Sequence, residues 1–192
     1  MGKIDKISPL TQPRFVKPIK IDYTQNGTKK EWEAVISHDS VAVLLWHVEK
    51  QAFIIVKQFR PTVLHTHKEN GYTYELCAGI IDKNLSDVAI AREEILEECG
   101  YDVPLETIEK VTSFYTSIGI SGAKQTLYYA ECRESMKINE GGGLEDEAIE
   151  VIYLPLAHAK EFMFDETCHK TPGLIMAFYW FFENKLPKIA HN

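Results

Sequence analysis

The sequence predicts an α+β fold, and three observations carry that prediction. Short segments with alternating or continuously apolar patterns recur along most of the chain, as β-strands do. One strongly patterned helix, spanning 86–99, lies between strand-like segments on both sides. Near the N-terminus an Asn-Gly pair separates two alternating segments, which is the signature of a tight hairpin.

The elements follow in chain order. Residues 1–18 are broken by Pro9, Pro13 and Pro18 and read as an extended arm. Residues 19–23 alternate apolar and polar, Asn26-Gly27 turns the chain, and residues 32–36 alternate again. Strands are expected at 40–47 and 52–58, with Glu49 and Lys50 in the turn between them. Pro61 ends the second strand, because proline has no N–H to give a ladder. Residues 62–71 are polar and contain Gly71, so they predict a loop in which His65 and His67 face solvent. Residues 72–77 predict a short strand leading into Ala78-Gly79.

Ser86 can cap the central helix, and Asp87 suits its positive end. Val88, Ala91, Ile95 and Cys99 recur at spacings of three and four and make a buried stripe, which Gly100 terminates. Further strands are expected at 108–114, 125–131 and 150–154, and helices at 157–164 and 172–184. The last helix is apolar on all sides and reads as a core or dimer-facing element.

Composition narrows the function classes. The chain has 192 residues, 45% of them hydrophobic and 26% charged, which fits a folded domain and excludes a disordered one. The formal charge of −7 disfavours binding to nucleic acid, which needs cationic side chains to displace counterions. It does not exclude a small anionic substrate, since a bound divalent cation reverses the local sign. Residues 1–15 hold no apolar run, and no segment approaches the roughly 20 apolar residues of a membrane span. Cys77, Cys99, Cys132 and Cys168 are widely spaced without a C-x-x-C pair. Reduced thiols in a cytoplasmic protein are therefore expected, rather than a zinc site or disulfides.

The chemistry lies in 79–101. Glu94, Glu97 and Glu98 are spaced i, i+3 and i+4, which puts three carboxylates on one helix face. Like charges so placed repel, and a hard divalent cation with oxygen ligands would offset the cost. Spacing alone leaves a solvated acidic face equally open.

The segment GIIDKNLSDVAIAREEILEECGY resembles the Nudix box, G-x5-E-x7-R-E-U-x-E-E-x-G-U, where U is a bulky residue. Gly79, Glu94, Ile95, Glu97, Glu98, Gly100 and Tyr101 match the pattern at its standard spacing. Two positions depart from it: Leu85 replaces the first glutamate and Glu93 replaces the arginine that orients the others. Arg92 stands one residue early, about 100° round the helix.

The Glu75-Leu76-Cys77-Ala78-Gly79 and Gln58-Phe59-Arg60 stretches are similar to the nucleoside diphosphate sugar and ADP-ribose pyrophosphatase branch of that family. Tyr23 to Gly27, His38 to Val41, Gly119 to Gly122 and Gly141 to Leu144 look like its uridine diphosphate glucose pyrophosphatases.

The resemblance implies an α/β/α sandwich with a mixed central sheet over 38–192. Residues 1–37 would then be an arm and hairpin that form a homodimer and, with Phe15, Tyr23 and Trp32, help wall the base pocket. It also implies a magnesium site, with manganese as a substitute. Its ligands would be the Ala78 carbonyl, Glu94 and Glu98, with Glu97 shared between ions and Glu147 from the Gly141–Glu150 loop. In that loop Glu145 would be the base that accepts the proton of the attacking water. Arg60 would serve the pyrophosphate and Glu75 the ribose or base, or the two would simply pair.

The implied reaction is hydrolysis of a nucleoside diphosphate sugar, most narrowly uridine diphosphate glucose to uridine monophosphate and glucose 1-phosphate. ADP-ribose hydrolysis is the nearest alternative on the same scaffold. The replacements at Leu85 and Glu93 instead favour a module that binds a nucleotide sugar without turnover.

Overall fold

The computed structural model describes residues 2–13, 16–68, 70–144 and 147–189. Strands β1 (Lys17–Gln25) and β2 (Thr28–Ile36) pair antiparallel as a separate two-stranded sheet, with Gln25 opposite Thr28. Asn26 and Gly27 form the turn with φ of 52° and 77°, the left-handed pair that a two-residue hairpin of this kind requires. Each strand runs beyond the alternating stretch read from sequence, because the flanking residues carry no apolar–polar alternation.

Strands β3 (Ser40–His47) and β4 (Ala52–Phe59) form the centre of the body. Helix α1 (Pro61–His67) follows, where the sequence predicted a loop. Pro61 sits at its first position, which needs no N–H. The Arg60 carbonyl accepts from the Val63 and Leu64 N–H groups at 3.0 and 3.2 Å. Lys68 closes the helix at φ 57° with its N–H on the Leu64 carbonyl, 2.9 Å. No residue of α1 is buried, so it has no apolar stripe to be read; His65 and His67 are exposed as expected.

The expected strand at 72–77 divides into β5 (Tyr72–Glu75) and β6 (Cys77–Ile80), with Leu76 between them. The hydrogen-bonding partners explain the break. β4 pairs with β3 only at Ala52–Ile54, and the two strands then diverge. β5 pairs with the far end of β4, through Val56 to Phe59. β6 pairs with the near end of β3, through Ser40 to Val43. The chain thus crosses the gap between two parting strands at Leu76, and Glu75 and Ala78 flank that gap.

Helix α2 (Asp87–Glu94) starts at Ser86, whose hydroxyl caps the Ala89 N–H, and passes into a wider π-helical turn at Ile95–Cys99. Strands β7 (Glu109–Tyr115), β8 (Lys124–Cys132) and β9 (Glu150–Pro155) follow, then helices α3 (Leu156–Phe164), α4 (Pro172–Asn184) and the short α5 (Leu186–Ile189). The main sheet has the order β5-β4-β3-β8-β7, with β6 on β3 and β9 on β4. The β3–β8 pair is parallel and the other pairs are antiparallel, so the sheet is mixed.

Strand β3 is buried on both faces, which accounts for its unbroken apolar run. Val41, Val43 and Leu45 pack with Ile90, Ala91, Ile95 and Cys99 beneath α2. Ala42, Leu44 and Trp46 pack with Leu174, Ala177, Phe178 and Phe181 of α4. Two cores on opposite sides of one sheet make the expected α/β/α arrangement, with α4 as a core helix. Among the described residues no helix is long and apolar enough to cross a membrane.

Candidate active site

The gap beside Leu76 places β6 against the end of α2, and the carboxylates meet the sheet there. Glu98 is 5% exposed, and its Oε2 accepts the Ala78 N–H at 3.0 Å. In a β-strand the N–H and carbonyl of one residue point to the same edge. The Ala78 carbonyl therefore also points away from β3, toward the helix.

The Glu94 carboxylate lies directly over Gly79; a Cβ at that position would overlap Glu94 Oε1. Glycine is needed there for space, since its φ is not in the left-handed region. On a straight α-helix the three glutamates would share a solvated face beside the apolar stripe. The π turn rotates its later residues, so Glu98 is buried with Ile95 and Cys99 while Glu94 and Glu97 stay half-exposed.

Burial pushes the Glu98 carboxyl up to about 8, and the Glu94 and Glu147 charges add to that effect. The Ala78 N–H and the Cys77 thiol oppose it by hydrogen bonding to the charged form. Burial likewise raises Glu94 to about 7, with Glu97, Glu147 and Glu93 raising it further and Lys83 lowering it. Two neighbouring carboxyls held above their usual range are groups that a nearby cation would return to the charged form.

Among the described residues no three His, Cys, Asp or Glu side chains converge tightly enough to cage a metal ion. The donors present nonetheless suit a hard divalent cation, which takes carboxylate and main-chain carbonyl oxygens and shares its shell with water and phosphate. Glu94, Glu98 and the Ala78 carbonyl are of that type, and a cation between them would offset the burial and the neighbouring negative charge that raise both carboxyls.

The glycine-rich loop is bound to the helix end by main chain. The Gly142 N–H donates to the Glu98 carbonyl at 2.9 Å and the Gly143 N–H to the Glu97 carbonyl at 3.0 Å. These are carbonyls that the end of a helix leaves without partners. Gly100, Gly141, Gly142 and Gly143 all have positive φ, and a Cβ on Gly141 would overlap the Glu98 carbonyl. Glu147 is exposed and accepts the Leu144 N–H at 2.9 Å, folded back on its own loop. Glu145 and Asp146, like Phe15, lie outside the described residues.

Arg60 and Glu75 are paired by two hydrogen bonds, Nε and Nη2 to the two carboxylate oxygens, both 2.7 Å. The Thr73 hydroxyl donates to the same carboxylate at 2.5 Å. This pairing is one of the two roles the sequence allowed. Glu75 holds Arg60 firmly charged, and Glu98 and Glu147 reinforce it, so the guanidinium lies within the field of the site. Thr73 has no signature in the sequence, since its role depends on the strand register.

A cleft of about 350 Å³ opens beside Glu75 and Ala78. Leu76, Phe114, Pro172 and Gly173 give it apolar walls, with Gln125 and Thr116 among its polar groups. Residues of β3, β5, β6, β7, β8 and α4 line it, and beyond the Glu75–Gly79 stretch no motif announces them.

The two departures from the box are also resolved. Leu85 is 46% exposed just before the helix cap. Arg92 turns away from the box glutamates and binds the Asp102 carboxylate at 2.5 Å and the Val103 carbonyl at 3.0 Å.

No family model matches the chain. Curated relatives do. The uridine diphosphate glucose pyrophosphatase of Bos taurus is 35% identical over 204 residues, covering 92% of this chain and 92% of that protein. Its counterpart in Mus musculus is 32% identical with the same coverage. The GDP-mannose pyrophosphatase of Cronobacter sakazakii is 37% identical over 146 residues, covering 72% of this chain and 74% of its own. With the box glutamates present as Glu94, Glu97 and Glu98, and with relatives of this identity over 72–92% of its length, the chain belongs to the Nudix hydrolases, in the nucleoside diphosphate sugar pyrophosphatase branch.

Proposed function

We propose that the chain hydrolyses uridine diphosphate glucose to uridine monophosphate and glucose 1-phosphate with magnesium, or manganese in its place. The observation that carries the site is the meeting of Ala78, Glu94 and Glu98, two raised carboxylates and a main-chain carbonyl where β6 reaches the helix. The match to the uridine diphosphate glucose enzymes covers 92% of the chain, against 72% for the GDP-mannose enzyme, which favours the first substrate.

Bound divalent cations neutralise a diphosphate and acidify the attacking water. Glu94, Glu98 and the Ala78 carbonyl would hold them, with Glu97 and Glu147 as further carboxylate donors. Arg60, oriented by Glu75, gives paired donors to the diphosphate oxygens. The cleft beside Glu75 receives one arm of the substrate. Glu145 accepts the proton of the water as its oxygen bonds to phosphorus and the bridging P–O bond breaks.

Residues 1–37 form the dimer contact in this reading. The β1–β2 hairpin is tied to the body by the Val35 N–H on the Ile120 carbonyl, 2.8 Å, and the Trp32 indole N–H on the Gly119 carbonyl, 3.1 Å. Ile21, Trp32 and Ile36 are exposed on it, and a lone two-stranded hairpin is marginal in water. A second copy covering it would supply the missing burial. A cytoplasmic location accords with the free thiols of Cys77, Cys99, Cys132 and Cys168.

The test is a magnesium-dependent hydrolysis screen over uridine, guanosine and adenosine diphosphate sugars, including ADP-ribose, with products identified by mass. Preferential release of uridine monophosphate and glucose 1-phosphate is expected. Preference for another nucleotide sugar would overturn the substrate, and no metal-dependent release from any would overturn the site.

A further inference from the structure

Position 93, where the box pattern has its arginine, is a glutamate in this chain, yet it is not without a cation. Lys83 Nζ lies 2.8 Å from Glu93 Oε2. Lys83 belongs to the short loop joining β6 to α2, whose two ends both carry the site. Gly79 and Ala78 precede it, and Glu93 and Glu94 follow it on the helix. The lysine also acts on Glu97 and Glu94, which both reinforce its charge. Arg92, the other nearby cation, is spent on Asp102 and the Val103 carbonyl.

We infer that Lys83, acting through Glu93, is the positioning residue that takes the place of the box arginine, seating Glu94 over Gly79 before a metal ion arrives. The inference rests on the metal site proposed above. Its physical content is a clamp across a loop. The Lys83–Glu93 bond holds Glu93 away from Glu94 and Glu97, its neighbours along and one turn up the helix, and so limits the repulsion among them. It also fixes the path from Gly79 to the helix, on which the close fit of Glu94 against the Gly79 backbone depends.

A clamp and a bare charge make opposite predictions. As a bare charge, Lys83 repels an incoming cation, and its removal would tighten metal binding. As a clamp, its removal loosens the ligands and weakens binding.

The experiment measures Mn2+ affinity of the full-length protein without substrate, by electron paramagnetic resonance of the free ion. Wild type, Lys83→Met, Lys83→Arg and the Lys83→Met/Glu93→Arg double variant are compared, with Glu98→Gln as the site control. Lys83→Met is expected to weaken Mn2+ binding about two- to fivefold, the range of an exposed ion pair. Lys83→Arg should bind as wild type does. The double variant, which returns a cation to the helix, should recover most of the loss. Both positions are half-exposed, so the unfolding midpoint should stay near that of wild type.

Lys83→Met binding as tightly as wild type or tighter would overturn the inference, and so would a double variant no better than the single one. If Glu98→Gln binds Mn2+ as wild type does, the metal-site reading fails and this inference with it. Loss in Glu98→Gln without loss in Lys83→Met overturns the clamp alone.

Discussion

Ala78 and Glu98 stand 20 positions apart and are joined by a hydrogen bond of 3.0 Å from the Ala78 N–H to Glu98 Oε2. The bond ties the strand end that offers a carbonyl to the helix residue that offers a buried carboxylate. The remaining features of the site are arranged around that link.

Replacing Glu98 with glutamine tests it most directly. The amide oxygen can still accept from Ala78, so the fold should persist, but the buried carboxylate proposed to hold the metal is lost. Turnover of the nucleotide sugar should fall by at least about 100-fold, beyond the usual cost of losing a residue that merely supports a ligand. Steady-state kinetics with circular dichroism as the fold control decides it, and wild-type-like turnover would remove Glu98 from the site.

The pH dependence of stability follows from the same burial. Glu98 titrates at about 8 and Glu94 at about 7 in the folded chain, against 4.5 for a free glutamate. Between those values the folded state holds more protons than the unfolded state, so stability from these groups falls as pH rises from about 4.5 to 8. In metal-free buffer the thermal midpoint should drop across that window, and Glu98→Gln should flatten the slope. Magnesium should raise the midpoint more at pH about 8 than at about 6, because binding requires the deprotonated ligands. A midpoint that climbs through the window equally in both proteins would contradict the raised carboxyls.

Gly79→Ala is a steric test. Its added methyl would overlap the Glu94 carboxylate, which must move because the strand backbone cannot. Metal affinity should fall about tenfold, comparable to loss of a ligand's supporting contact. Calorimetric titration with Mn2+ measures it, and unchanged affinity would show that Glu94 binds elsewhere.

Arg60 and Glu75 form a testable couple. Glu75 is 9% exposed, while the Arg60 side chain keeps about 45% of its surface in water. Arg60→Ala strands a buried carboxylate and should cost about 1–3 kcal/mol, between the costs of breaking an exposed and a fully buried pair, because the arginine is partly solvated. Arg60→Ala/Glu75→Gln should be no less stable than Arg60→Ala, since the stranded charge is gone. Urea denaturation of the cycle reads the coupling; additive losses would mean that the pair contributes nothing to the fold.

Much of the fold was legible in local pattern. The Asn26-Gly27 turn, the buried run of β3 and the Ser86 cap each express a rule that acts within a few residues, and each appears where the sequence predicts it. Helix α1 was not legible, because it buries nothing and is held by Pro61 and the Arg60 carbonyl. The break at Leu76 was hidden too, because it is set by β3 and β4 parting, a property of the assembled sheet.

The candidate site divides in the same way. Its acidic residues were readable as candidates, because three glutamates at helical spacing and the glycines flanking them form a contiguous pattern. Which glutamate is buried was not readable, because that depends on the π turn and on the sheet beneath it. Nor were the partners of Arg92 and Glu93 readable, because each pair forms across a sequence separation of ten. The sequence by itself determined the family, the acidic chemistry and most of the elements in their order, since these are written in spacing and residue type. Only the tertiary structure decided which charge is desolvated and which cation answers it, because desolvation and pairing depend on distances that folding alone sets.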